Sequence, residues 1–219
     1  MKLAELICQH PDVLSLLPRF GIELGFGEKT VEEVCTQYQV SYSLFNMICN
    51  IYIDEYYFPD IEKITIENMD GLLPYLVACH QFYFSERIPH IEKHLKIIAS
   101  HCETKLKTVL LNFYDQYRDE LEKHFKYEEE IVFPYIKNLL HHTKKGSYSI
   151  HKYEQNHENI EDTLSDLTNI IIKYLPTSIV PQEKMSILND IFHLAADINR
   201  HTWIENKLLI PYVSFLEKQ

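Results

Sequence analysis

Glycine is scarce in this sequence. Five glycines among 219 residues supply too few tight turns for a chain of many short strands, which disfavours a β-rich fold before any pattern is read. Cysteine offers no scaffold either. Cys8, Cys35, Cys49, Cys79 and Cys102 are odd in number and scattered, with no Cys-x-x-Cys pair to mark a zinc ribbon or a redox dithiol. They read as reduced, mostly buried, small apolar residues. Positive charge is the minority: 21 Lys and Arg stand against 32 Asp and Glu, and the net charge of −11 works against nucleic acid and anionic membrane surfaces as partners. No apolar run approaches the roughly 20 residues that span a bilayer. The opening MKLAELICQHPD lacks the long apolar core of a secretory signal. A cytoplasmic protein without nucleic-acid or membrane partners is the expectation.

What is present favours helix. An apolar content of 46% with 24% charged residues is that of a globular chain with one well-buried core. Residues 1 to about 55 read as short helices punctuated by Pro11, Pro18 and the stretch GIELGFGEK. Thr30 followed by Glu33 predicts a capping box opening a helix through VEEVCTQY, and a second helix follows through SYSLFNMICNIYI. The pair has the outline of a helix-turn-helix. Only Arg19 and Lys29 carry positive charge between residues 3 and 60, which argues against a DNA-reading role.

DEYYFPDIEKIT reads as a linker. Four long amphipathic segments follow it, at about 66–101, 104–140, 150–174 and 184–216, separated most clearly by HHTKKGSYS and LPTSIVPQE. Pro89, Pro134 and Pro211 fall within or near the ends of these segments and are expected to kink or terminate them. The fold class expected is all-α: an antiparallel up-down-up-down four-helix bundle over 66–219 behind a small helical module over 1–55.

Twelve histidines are the unusual feature of the composition. HFKYEEEIVFP, beginning at His124, and HTWIENKLLIP, beginning at His201, both read His-x3-Glu-x5-Pro. On a helix, positions i and i+4 share a face, so each segment aims an imidazole and a carboxylate at one point. About one His-x3-Glu pair is expected by chance in this composition; three occur, the third being His157 with Glu161. A second regularity is more telling: 44 residues separate His80 from His124, and 44 separate His157 from His201. Equal spacing across two helical hairpins is what brings ligands on four helices to one height. His80, His124, Glu128, His157, His201 and Glu205 are therefore the predicted metal ligands, with Glu161 as an additional carboxylate candidate. Buried carboxylates call for cations, and six N/O donors without a thiolate suit two divalent metals, with iron the first choice and manganese or zinc open to the same donors. One turn before the ligands stand Glu120, Tyr153 and Asp197, candidates for hydrogen bonding to ligand imidazoles or for proton relay. Phe84 reads as an apolar wall. His90 and His94 form a His-x3-His pair capable of binding zinc, too far along the helix from His80 to join the same site. His101, His141, His142 and His151 fall at helix ends or in loops and read as solvated, while His10 and His193 carry no signal.

At these residues the sequence resembles the hemerythrin-like di-iron proteins and, among them, the bacterial repair-of-iron-centres proteins. HFKYEEEIVFP and HTWIENKLLIP match the family's two His-x3-Glu motifs, and ACHQFYF and QNHENIE match its single-histidine helices. The resemblance implies two iron ions bridged by oxide or hydroxide, two histidines on each iron, and Glu128 and Glu205 bridging. It implies recovery of damaged iron-sulfur proteins through iron donation or nitric oxide chemistry, or else a dioxygen or nitric oxide carrier or sensor without turnover. Homodimerisation through an N-terminal module of the ScdA type is implied likewise. Glu120 matches a family acidic residue, whereas Asn156 stands where some relatives carry a second acid. Leu24 and Gly25 replace the cysteine pair of the family's Cys-Cys-Gly-Gly turn, which removes any role that depends on those thiols.

Overall fold

The computed structural model describes residues 1–54, 56–143, 148–156 and 161–218, with side chains left undescribed at 155, 156, 161 and 162. Within them the protein is all-α, and the only β-type pairing among the described residues is an isolated bridge between Lys2 and Thr30. The helices are α1 (Leu3–Gln9), α2 (Val31–Tyr38), α3 (Tyr42–Ile53), α4 (Ile66–Phe82), α5 (Ile88–Ser100), α6 (Thr104–Tyr127), α7 (Phe133–Leu140), α8 (Ile150–Asn156), α9 (Glu161–Tyr174), α10 (Pro181–Ile204) and α11 (Ile210–Glu217). The capping box predicted for α2 is present: the Glu33 amide donates to Thr30 Oγ1 at 3.3 Å, and the Thr30 amide donates to Glu33 Oε2 at 2.8 Å. No described helix is long and apolar enough to cross a membrane.

Contacts divide the chain into two units. The first comprises Met1–Cys79, Phe133–Glu154 and Arg200–Gln219, and the second comprises His80–Val132 and Gln155–Asn199. In the first, Phe20 packs edge-on against Phe45 at 5.2 Å and stacks on Tyr75 at 4.8 Å. Gly71 makes room on α4: a Cβ there would fall 2.7 Å from Leu44 Cδ2, so a side chain would require Leu44 to shift. Beside it the Asn68 amide donates to Ser43 Oγ at 2.6 Å, fixing the first turn of α4 to the start of α3.

Arg19 is buried in this unit and donates from Nη1 to the Tyr52 hydroxyl at 2.7 Å, while Tyr75 Oη lies 3.3 Å from the same oxygen. Burial pushes the Tyr75 phenol well above its usual pKa, so Tyr75 stays a neutral donor. A hydrogen bond to a charged group contributes about 1.5–3 kcal/mol. Tyr52→Phe removes the acceptor and keeps the ring, so thermal denaturation should register a loss of about that size.

The second unit is built from amphipathic helices whose apolar positions recur at helical spacing. Ile88, Ile91, Leu95 and Ile98 are buried on α5, and Leu110, Tyr114, Tyr117, Leu121 and Phe125 on α6. Tyr114 donates to the Ile88 carbonyl at 3.0 Å and ties the two together.

Of the two outcomes expected at the prolines, termination does not occur. Three π-helical turns, Tyr83–Arg87, Glu128–Val132 and Glu205–Leu209, each lead directly into α5, α7 and α11, whose second residues are Pro89, Pro134 and Pro211. None of the three ends its helical segment. A proline lacks the N–H that would bond four residues back, and its ring collides with that carbonyl; widening one turn to i→i+5 removes both conflicts. The Glu-x5-Pro spacing is therefore the signature of this turn. The same spacing runs from Tyr83 to Pro89, where no ligand is predicted.

Candidate metal centre

His80 lies in the last turn of α4, His124 in the last turn of α6, and Glu128 opens the π turn that follows α6. All three belong to the second unit. His80 Nε2 is 3.2 Å from Glu128 Oε2, and His124 Nε2 is 2.7 Å from Glu128 Oε1. One carboxylate thus presents each of its oxygens to a different imidazole. Glu128 is fully buried and His80 is 3% exposed.

The His80 ring is oriented from its other edge and from its face. Nδ1 lies 2.7 Å from Glu129 Oε1. A carboxylate there holds the proton on Nδ1 and leaves Nε2 with its lone pair toward Glu128, the arrangement by which outer groups orient metal-binding histidines. Phe125 stacks on the His80 ring at 3.9 Å and 7°, and its centroid is 5.6 Å from His124. Tyr83 and Phe84 pack on the outer sides of Phe125 at 5.8 and 6.1 Å. The apolar wall expected of Phe84 is thus there, supporting Phe125.

In the first unit, His201 closes on Glu205 one turn later, Nε2 to Oε1 at 3.2 Å, with both side chains fully or nearly fully buried. Burial pulls the His201 imidazole down, but the Glu205 carboxylate and the neighbouring Cys79 thiol outweigh it, and the group is held well above its usual pKa. A carboxylate buried this deeply is costly unless a positive charge accompanies it, and an imidazolium supplies that charge when no cation does.

The predicted ligands are thus placed as follows. His80, His124 and Glu128 are gathered around one carboxylate, and His201 and Glu205 meet each other. His157 lies outside the described residues, as do the side chains of Glu161 and Asn156. Glu120 accepts from Gln116 Nε2 at 2.8 Å and Thr163 Oγ1 at 3.0 Å, joining α6 to α9. Asp197 and Tyr153 are buried, and the Asp197 carbonyl accepts from the Tyr83 hydroxyl at 3.3 Å. His141 pairs with Asp70 at 2.9 Å and His151 with Glu154 at 3.2 Å, both at exposed positions. Glu129, Phe125 and Cys79 were not singled out from the sequence. The run Glu128, Glu129, Glu130 after His124 was the visible signal for the first of them.

The donor chemistry fits a first-row divalent metal. With metal–ligand bonds of about 2.1 Å, adjacent ligands of an octahedral ion stand about 3 Å apart, close to the His–Glu separations of 2.7 and 3.2 Å. The set is nitrogen and carboxylate oxygen in a dry interior, suited to iron, manganese or zinc.

The model of the hemerythrin HHE cation binding domain matches residues 83–213. Curated proteins return no match. The matched span holds His124, Glu128, His157, His201 and Glu205, and His80 precedes it by three residues. It covers more than half of the chain, whose buried His and Glu side chains are the donors that cation binding requires: the protein belongs to the hemerythrin HHE cation-binding family.

Proposed function

We propose that this chain is a non-haem di-iron protein of the iron-centre repair type, acting on nitric oxide or releasing iron to damaged iron-sulfur proteins under stress. His80, His124, Glu128, His157, His201 and Glu205 are the residues that would hold the two irons, with Glu128 and Glu205 as the carboxylate donors. The observation that carries the reading is the division of Glu128's two oxygens between two imidazoles, since a carboxylate so placed offers one oxygen to each of two cations. The family and the matched 44-residue spacings support the remaining ligands.

When bound, an iron pair supplies one-electron redox chemistry and open positions for a diatomic ligand. The chain's own residues do the rest. Glu129 holds the His80 proton at Nδ1, so Nε2 stays a donor lone pair. Phe125 excludes water from the His80 face and fixes the ring plane. Buried Glu128 contributes a negative charge that offsets part of the metal charge.

Iron-loaded full-length protein should consume nitric oxide over many turnovers in the presence of a reductant, or restore activity to an iron-sulfur enzyme inactivated by nitric oxide. Neither effect appearing at full iron occupancy would end the repair reading. A second reading, a dioxygen or nitric oxide sensor or carrier, is favoured by one observation. The turn that would hold the thiol pair presents Leu24, 70% exposed, and Gly25 at φ +98°. Fully reversible spectral changes on gas binding, without turnover, would select it.

Glu129→Gln tests the orientation of His80. Loss of a carboxylate partner from a metal-bound histidine typically costs 10–100-fold in metal affinity, so about that loss is expected by competition with a chelator. Unchanged affinity would mean that Glu129 is a surface acceptor only.

A further inference from the structure

We propose a second divalent-cation site, separate from the His/Glu centre, formed by His90 and His94 of α5 with Asp190 of α10, and with Glu183 of α10 beside His94, all within the second unit. His90 follows His80 by ten residues, roughly 15 Å of helix at about 1.5 Å per residue, so the two groups serve different ions. One metal-binding atom each from His90, His94 and Asp190 lie within 4.8 Å of one another. His90 Nδ1 is 3.1 Å from Asp190 Oδ2, and His94 Nδ1 is 3.6 Å from Glu183 Oε2. The pairing runs antiparallel: the higher number on α5 meets the lower number on α10.

Two helical repeats build the site. His90 and His94 are four residues apart on one face of α5, and Glu183 and Asp190 are seven apart, two turns along one face of α10. The two imidazole rings stand 4.7 Å apart at 54°, tilted as two ligands of one ion are, not stacked.

The second observation concerns individual atoms. His94 Nδ1, Glu183 Oε2 and Asp190 Oδ2 are each shielded from solvent, and none has a hydrogen-bond partner among the described residues. An imidazolium–carboxylate bond closes to about 2.7–2.9 Å. The separation at His94 is far longer, and no hydrogen bond of good geometry forms at either pair. In a tetrahedral site with bonds of about 2.0–2.1 Å, neighbouring ligand atoms stand about 3.3 Å apart. The 3.1 Å between His90 Nδ1 and Asp190 Oδ2 is close to that value. Charge agrees as well, because the Asp190 carboxylate, with that of Glu183 close by, offsets the charge of a divalent ion held between two neutral imidazoles. Two nitrogens and one carboxylate oxygen without a thiolate, with a fourth position open to water, fit zinc. With His90 partly exposed, the site opens to solvent, and an ion enters from the surface and clamps α5 to α10.

Zinc is the probe. Full-length protein already loaded with iron, and washed free of loose metal, should take up one zinc per chain by calorimetric titration. Cobalt(II) in its place should give the intense visible absorption of a tetrahedral ion. Neither signal should persist in the His90→Ala/His94→Ala double variant, while its iron content stays that of the parent. Asp190→Asn, which keeps both imidazoles and the helix surface, should weaken zinc at least tenfold and serves if the double variant folds poorly. The proposal is overturned if iron-loaded parent protein takes up no additional zinc, or if the variants bind it as the parent does.

Discussion

Replacing Glu128 by glutamine is expected to abolish loading of the iron pair while leaving the metal-free protein as stable as its parent, or more so. The two halves of this expectation come from the same burial. Glu128 is wholly inside the second unit, where an ionised carboxylate carries a desolvation cost of several kcal/mol that the flanking imidazoles only partly offset. The amide is nearly isosteric, keeps one oxygen acceptor and carries no charge to desolvate. Both carboxylate oxygens are engaged, one toward His80 and one toward His124, and an amide offers a cation only one good donor. Metal that binds the native state alone stabilises it by about 4 kcal/mol at a free concentration a thousand times Kd. In a chain of this length that is a rise of about 8–16 °C in Tm. Calorimetric scans with and without iron, beside metal analysis, separate the effects: the parent shifts and Glu128→Gln does not. A variant that kept the full metal complement and the parental shift would remove Glu128 from the centre.

The extent to which this site was legible in the sequence follows from the range of each signal. The helices were legible because their apolar periodicity is local: segments expected at 66–101 and 104–140 are found as α4 to α5 and α6 to α7, and the last begins at Pro181, three residues before its expected start. The His-x3-Glu pairs were legible for the same reason, since i and i+4 share a face whatever surrounds the helix. The proline shared by the two motifs was legible as a pattern but pointed elsewhere. It marks a π turn, and the turn recurs at Tyr83 without a ligand.

Partners that depend on the register between helices were not legible. Glu129 and Glu130 look alike in sequence, and only the fold of the second unit brings Glu129 to His80. The His90/His94 pair was visible, but Asp190 and Glu183 lie some ninety residues further along the chain, and no local pattern shows which turn of α10 they face. Phe125 was hidden by its ordinariness, one aromatic among many beside a histidine.

Phe125 is nonetheless expected to give the largest stability loss in the second unit when truncated. Its ring, 4% exposed, lies flat on His80 and contacts Tyr83 and Phe84 on its other sides, with His124 adjacent in sequence and 5.6 Å away. Phe125→Ala opens a cavity the size of a ring among groups whose helices hold them in place, and a change of this kind costs about 3–5 kcal/mol, or about 6–20 °C in Tm. The cavity also frees the His80 ring to rotate about χ2, which undoes the alignment that Glu129 provides from one edge only. Metal affinity should therefore fall with stability. Phe125→Leu separates the two consequences. Leucine refills most of the volume and should return the greater part of the stability, yet it presents no flat face, so His80 stays loosely held and metal affinity stays below that of the parent. Thermal scans of the metal-free proteins read the first effect, and chelator competition reads the second. A Phe125→Ala variant within about 0.5 kcal/mol of the parent, the range of an ordinary surface substitution, would show that the ring neither fills the interior nor holds the imidazole.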